Sequence, residues 1–394
     1  MNELQSRVAD DFSITRGGPL HSLLARLGLS GDQRRQVARK VVFAILVTWL
    51  PLLVLSLIQG QAYRTQTQIP FLKDLAVNVR FLIAVPILIL AEPAIDQKWR
   101  ILVLEYIRSG LVSQKDLPCF EEAIKGTTRL RDCALPEVFL MIAAFIPSLF
   151  FQTELLIGGL SNWHTTGVGS GHASLGGWWF SLVSAPFFRF LLLRWVWRLC
   201  LGTYLLWRVS RINLYLVATH ADLAAGLGFL SQGPQAFSPI VFAGGVVVAG
   251  QIGNSIAYGG ATLSSMKFPM MAYGVLAILL LVAPLLVVTP VLIKVKKKAL
   301  LEYGALVTVH NQQFDRKWIQ KDQPADEMIM GNPDPSSLID LGNSFTVIRQ
   351  MGFLPIDKQT LLTLLLAAAL PMIAVVVYAT PTEALVYAVL KMLG

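Results

Sequence analysis

Charge is scarce in this sequence: of 394 residues only 14% are Asp, Glu, Lys or Arg, against about 25% in a soluble domain. Cysteine is scarcer. Cys119, Cys133 and Cys200 are the only three, too few and too scattered for a disulfide framework or a Cys-x-x-Cys metal site. No Asn-x-Ser/Thr acceptor occurs, so nothing marks a glycosylated surface. The five histidines (His21, His164, His172, His220 and His310) form neither a His-Glu-x-x-His motif nor a His-rich tract. Gly226-Leu-Gly228 and the glycines of 167–171 lack the Lys-Ser/Thr of a phosphate loop, and no Gly-x-Ser-x-Gly elbow is present. The compact motifs of metal, nucleotide and serine-hydrolase chemistry are therefore missing. The expectation is no metal and no cofactor, with an intramembrane enzyme built from single Asp, His and Arg residues as a remaining alternative. The first forty residues are polar and basic, with no apolar core before a cleavage site, so no cleaved signal peptide is expected.

What the chain has instead is apolar length. Hydrophobic residues make up 54% of it, and the mean hydropathy is +0.59. A bilayer core needs roughly 20 mostly apolar residues per helix, and seven stretches qualify: 41–58, 75–95, 138–157, 178–197, 237–257, 269–293 and 361–378. The fold class read from this is an all-α integral membrane protein of about seven transmembrane helices with a small helical cytoplasmic layer. The layout is an N-terminal segment 1–40, spans at 41–95, a helical loop 96–137, and spans at 138–211. A short loop 212–236 follows, then spans at 237–293, a helical segment 294–358, and a last span within 359–394.

The basic residues give the orientation. Lys and Arg number 33 against 24 acidic residues, a net of +9. They collect before the first span (Arg34, Arg35, Arg39, Lys40), after the second, after the fourth (Arg208, Arg211) and after the sixth (Lys294, Lys296, Lys297, Lys298). The alternate loops hold only Arg64, Lys73 and Lys267. With seven spans every basic loop falls on one side, which the positive-inside rule makes the cytoplasm. The N-terminus is then inside and the C-terminus outside. The net charge needs no nucleic-acid partner; the expected partner is the lipid bilayer, with a homo-oligomer or a cytoplasmic protein partner as further possibilities. Short interfacial helices are expected around Leu20–Leu27 and over 382–393.

The second and fourth spans carry charges inside the membrane, where an ionisable group is costly and a functional candidate by default. Arg80 and Glu154 lie at similar depth and could pair. Arg189 lies near the midplane of the fourth span, with Glu92 as its nearest candidate partner. Gln251 and Asn254 add polar groups in the glycine-rich fifth span. Arg80, Glu92, Glu154, Arg189, Gln251 and Asn254 therefore form a candidate intramembrane polar network, read either as a solute or proton pathway or as ion pairs that fix helix packing. Arg194, Arg198 and Arg208 share one helix face among Trp195, Trp197 and Trp207, which reads as a helix leaving the bilayer with its arginines on lipid phosphates.

Gly245, Ala249, Gly253 and Ala257 recur every four residues, a smooth ridge for close helix packing. Prolines fall in or at the edge of every span (Pro51, Pro86, Pro147, Pro186, Pro239, Pro284, Pro290, Pro371), where each interior one removes a backbone hydrogen bond and can kink its helix. No internal repeat of 20–50 residues is evident, and neither is a half-to-half match. In the cytoplasmic loops Asp222 of His220-Ala-Asp222 reads as a helix cap, and Ser336 or Ser337 as the cap of a helix running to about Met351.

The block Thr219-His-Ala-Asp-Leu-Ala-Ala-Gly-Leu-Gly-Phe-Leu230 and the block Asp334-Pro-Ser-Ser-Leu-Ile-Asp-Leu-Gly-Asn-Ser-Phe345 resemble segments of a group of bacterial multi-pass inner-membrane proteins that carry no assigned activity. The resemblance implies a bacterial inner-membrane location and brings no catalytic residues with it. The leading functional expectation is a channel or transporter for a small ion or solute. The alternatives are a non-transporting scaffold or signalling partner acting through its cytoplasmic helices, and the intramembrane enzyme.

Overall fold

The computed structural model describes residues 12–15, 17–18, 33–63, 69–150, 163–165, 172–320 and 332–380. Among them every regular element is helical, and isolated bridges such as Val112–Leu214 and Thr165–Ala173 stand in place of strands. Among the described residues six helices are long and apolar enough to cross a membrane, and seven if one bent pair counts as a span. In chain order the elements are α1 (Arg35–Ile58), α2 (Leu75–Arg108), α3 (Leu117–Asp132), α4 (Ala134–Phe150), α5 (Leu175–Ser210), α6 (Gly228–Tyr258), α7 (Leu263–Val287), α8 (Thr289–Phe314), α9 (Pro333–Gln350) and α10 (Lys358–Ala379). The run expected to span at 138–157 falls on α4, which joins α3 at a 45° bend; its residues after Phe150 lie outside the described ones. Glu154, Leu20–Leu27 and the stretch 382–393 also lie outside them.

Two elements exceed the expected lengths. α2 has 34 residues and α5 has 36, so at 1.5 Å per residue each is about 50 Å long, well past the roughly 30 Å apolar layer. The segment 96–108, expected as a separate amphipathic loop helix, is the continuation of α2. It stays helical because its apolar residues are core: Trp99, Leu102, Val103 and Tyr106 are buried against Phe120, Phe229 and Phe237. The bundle therefore keeps an extended core at the end that carries Lys294 and Lys296, here called the basic end. Its girdle is the reverse, with Leu149, Phe268, Leu276 and Leu366 exposed, as a lipid-facing surface requires.

One construction occurs twice. Asp74 caps a single α-helical turn (Leu75–Val79), a π-helical turn follows (Arg80–Ala84), and a long α-helix resumes at Val85. Ser174 caps Leu175–Trp179, a π-helical turn follows (Phe180–Ser184), and a long α-helix resumes at Ala185. Each π turn precedes a proline, Pro86 and Pro186. A proline supplies no N–H and its ring crowds the carbonyl four residues back, which the wider turn relieves. α2 packs on the preceding α1, and α5 packs on the preceding α4. The same cap, α-helical turn and π turn thus open α2 and α5, a likeness too short to register as a sequence repeat.

Closest approach between helices occurs where glycine is found, but only partly at the expected ridge. Gly245 meets Pro371 and the Ala368 carbonyl of α10, and Ala249 packs with Met372 and Val375. Ala257, the last member, is exposed. The tighter contact is at Gly250, off the ridge, where a Cβ would lie 2.4 Å from Val79 and 3.1 Å from the Ala76 Cα.

The loop after α5 and the hairpin α8–α9 complete the basic end. Asp222 does more than cap: its carboxylate accepts hydrogen bonds from the backbone N–H groups of Ala224, Gly226 and Gly228 at 2.9, 3.1 and 2.8 Å. That holds Leu223 and Ala225 in the left-handed region (φ 56° each), a conformation costly for residues with a Cβ. Burial works against the charged carboxyl, but the three N–H groups and His220 outweigh it and hold Asp222 below its ordinary range. The helix expected to start at Ser336 or Ser337 starts earlier, capped by Asn332. The Gly352 N–H, just past that helix, donates to the Leu223 carbonyl at 2.8 Å, which ties the end of α9 to the loop after α5.

Candidate functional site

Near the end opposite the basic one, α2, α5 and α6 enclose a cavity of about 540 Å³, lined by Asp74, Arg80, His164, Phe180, Gln251, Asn254 and Ser255 among others. Three of the six intramembrane residues picked from sequence, Arg80, Gln251 and Asn254, meet here.

Its floor is a hydrogen-bonded frame around Asp74, a buried residue that composition alone did not single out. Its carboxylate caps α2 by accepting from the Val77 N–H at 3.1 Å. It also accepts from Asn254 Nδ2 at 2.8 Å and Trp163 Nε1 at 2.9 Å. Asn254 in turn accepts from the Leu75 N–H at 2.9 Å, so α6 is tied to the first turn of α2 on both sides of one amide. Asn78 spans the neighbouring gap, accepting from Trp49 Nε1 and donating to the Phe71 and Asp74 carbonyls. An aspartate just before an apolar run is an N-cap signal, and that is the cue that marks Asp74. His164 stacks between Trp163 and Phe180, with ring centroids 3.8 and 4.7 Å away. Burial pushes its imidazole down to about 4, with Asp74 favouring and Arg80 opposing the charged form.

Arg80 opens the π turn of α2. Its guanidinium lies 6.0 Å from the centroid of Phe180, the residue at the same position in the π turn of α5, and 5.4 Å from Phe188. These ring faces attract the cation but offer no acceptor in the sense of a lone pair. Arg80 Nε is buried without a hydrogen-bond partner. Glu154, its expected partner, lies outside the described residues.

The other predicted charges are elsewhere. Arg189 donates to Ser148 Oγ at 3.0 Å and the Ala144 carbonyl at 3.4 Å, both on α4. Glu92 is not its partner: the Glu92 carboxylate takes Arg198 at 2.7 Å, Lys40 at 3.5 Å and Arg194 at 3.9 Å. Arg194 and Arg198 therefore do not lie on lipid phosphates. Arg198 is 4% exposed, with its guanidinium 4.3 Å from the Trp195 ring. The reason is the length of α5: its second half packs inside the bundle, so arginines read as leaving the bilayer face the core. Arg208, further along, reaches Glu122 of α3 at 3.3 Å.

Beside this ionic cluster lies Ser13–Thr15, a short non-helical stretch bonded to α2. Asp96, 3% exposed, accepts from Ser13 Oγ, the Ile14 N–H and the Thr15 N–H at 2.6, 3.0 and 3.1 Å. Arg131 donates to the Ser13 carbonyl and Arg198 to the Thr15 carbonyl. Phe12 and Ile14 are each 1% exposed. Neither Asp96 nor this stretch was legible as a site, because the pairing spans more than eighty residues of sequence. No group of three or more His, Cys, Asp or Glu arranged to hold a metal occurs among the described residues.

No protein-family model matches this chain, and neither a curated protein nor a solved structure is similar to it.

Proposed function

We propose that the chain is a bacterial inner-membrane protein with seven spans, N-terminus in the cytoplasm and C-terminus outside, that binds and translocates a small ion or solute. The observation that carries this reading is the polar cavity between α2, α5 and α6. Its lining holds a half-buried cation with a buried, unsatisfied Nε, hydrogen-bonding amides and a hydroxyl within an otherwise apolar bundle, a costly arrangement in a membrane unless it is used. The proline-linked π turns beside it support the reading, since such turns cluster at functional sites and interrupt helix rigidity.

A second reading is favoured by a different observation. The hairpin α8–α9 exposes Leu301 (77%) and Ile339 (62%), which suits a scaffold that docks a protein partner or a second copy. Reconstitution in liposomes separates the two. The translocation reading expects uptake of some small solute above protein-free liposomes, reduced by Gln251→Trp, which narrows the cavity. A folded, correctly inserted preparation that moves nothing across a broad panel of ions and organic solutes overturns it in favour of the scaffold.

A further inference from the structure

We propose that the cavity is an anion site, in which Arg80 receives the carboxylate or phosphate oxygens of a small organic solute. The inference rests on the binding half of the reading above and names the chemical class it would take.

The chain carries its own standard for a structural arginine. Arg198 is buried, bonded to the Glu92 carboxylate at 2.7 Å and to a backbone carbonyl, and stacked on Trp195. Arg80 is enclosed as well, yet it has no hydrogen bond and no ion pair within 4 Å among the described residues, and its Nε is buried and unsatisfied. A guanidinium has five N–H donors and no acceptor, so whatever completes this site must bring acceptors. Among the described residues the carboxylate that acts on Arg80 is Asp74, which makes its hydrogen bonds to Val77, Asn254 and Trp163 and none to Arg80. It attracts Arg80 electrostatically, while Arg189 repels it. Among the described residues the Arg80 guanidinium therefore has charge attraction without an acceptor, and an anionic ligand supplies one.

Size and lining narrow the class. A cavity of about 540 Å³ is far larger than a halide or a single water, whose share of liquid volume is about 30 Å³, and falls in the range of small-molecule sites. Opposite Arg80, the α6 side offers Gln251 and Ser255, which suit the hydroxyl or carbonyl groups of an organic acid. The same acceptor chemistry could come from a soluble acid or from a lipid phosphate.

The test uses the full chain in phosphatidylcholine nanodiscs, with thermal unfolding and calorimetry as readouts. Succinate, glycerol 3-phosphate and inorganic phosphate are added as soluble probes, chloride and glycerol as controls, and phosphatidylglycerol is substituted for part of the bilayer in a separate arm. At least one oxyanion is expected to bind and raise the unfolding temperature where chloride and glycerol do not. Arg80→Gln is expected to weaken that binding at least tenfold, and Arg80→Lys to weaken it less. A response confined to phosphatidylglycerol and lost in Arg80→Gln assigns the same site to a lipid headgroup. If Arg80→Gln fails to fold, Gln251→Trp must weaken binding at least tenfold by obstructing the side of the cavity opposite Arg80. No oxyanion response in the wild type, or unchanged affinity in a folded Arg80→Gln or Gln251→Trp protein, overturns the proposal. Arg80-dependent binding without flux keeps the site and removes the translocation reading; flux that survives Arg80→Gln does the reverse.

Discussion

His164 illustrates how much one enclosed side chain can set. Burial between Trp163 and Phe180 holds it neutral in the folded protein down to about pH 4, from an ordinary value of 6.5. The unfolded chain binds its proton near 6.5 and the folded chain near 4, so acidification favours unfolding across that window. Stability from this group is complete above about pH 6.5 and falls towards pH 4. The full interval is worth at most about 3 kcal/mol. Thermal unfolding in detergent is expected to fall between pH 6.5 and 5, a range in which ordinary carboxylates stay ionised, and His164→Phe should flatten that slope; an unchanged slope would show that His164 is not the group responsible. At this scale the sequence was a good guide to which residues are polar in the apolar zone and a poor guide to their partners. Arg80, Gln251 and Asn254 converge, whereas Glu92 turned from Arg189 to Arg198. Depth along a helix is legible from residue counting, but azimuth and neighbour are not, and the charges choose partners by both.

The helices themselves show what local pattern can carry. The apolar runs were read correctly as helices because a bilayer-length run has few other uses for its backbone. Their ends were misplaced because α2 and α5 continue into an extended core rather than stopping at the apolar limit. Prolines were visible, yet their outcome, a π turn six residues after a cap in two separate helices, depends on how the widened turn packs. The Gly250 contact is testable at this scale. A methyl there meets Val79 and the backbone of Ala76 and Leu75 at 2.4–3.2 Å; the side chain can turn aside but the backbone cannot. Gly250→Ala is expected to push α6 from α2 and cost roughly 1–3 kcal/mol, read as a lower unfolding temperature. Gly274→Ala, whose new methyl has only Ala368 at 4.0 Å, should be close to neutral. Equal effects of the two changes would remove close approach as the explanation.

For the whole molecule the proposed orientation makes one sharp demand. Alkaline phosphatase fused after Gly394 should be active, since it works only outside the cytoplasm, and a fusion after Lys298 should be silent. The opposite result would reverse the proposed arrangement, and two active fusions would reject the seven-span count. A further consequence follows from Ser13–Thr15 and concerns the order of assembly. Its hydrogen bonds to Asp96, Arg131 and Arg198 join residues 81 to 183 positions apart. A ribosome delivers Ser13 and Asp96 long before Arg198, so the Thr15 carbonyl gains its arginine donor only after α5 has been made. Closing that contact is therefore a late step in biogenesis, one that stitches the earliest part of the chain to the half-built bundle and seals it.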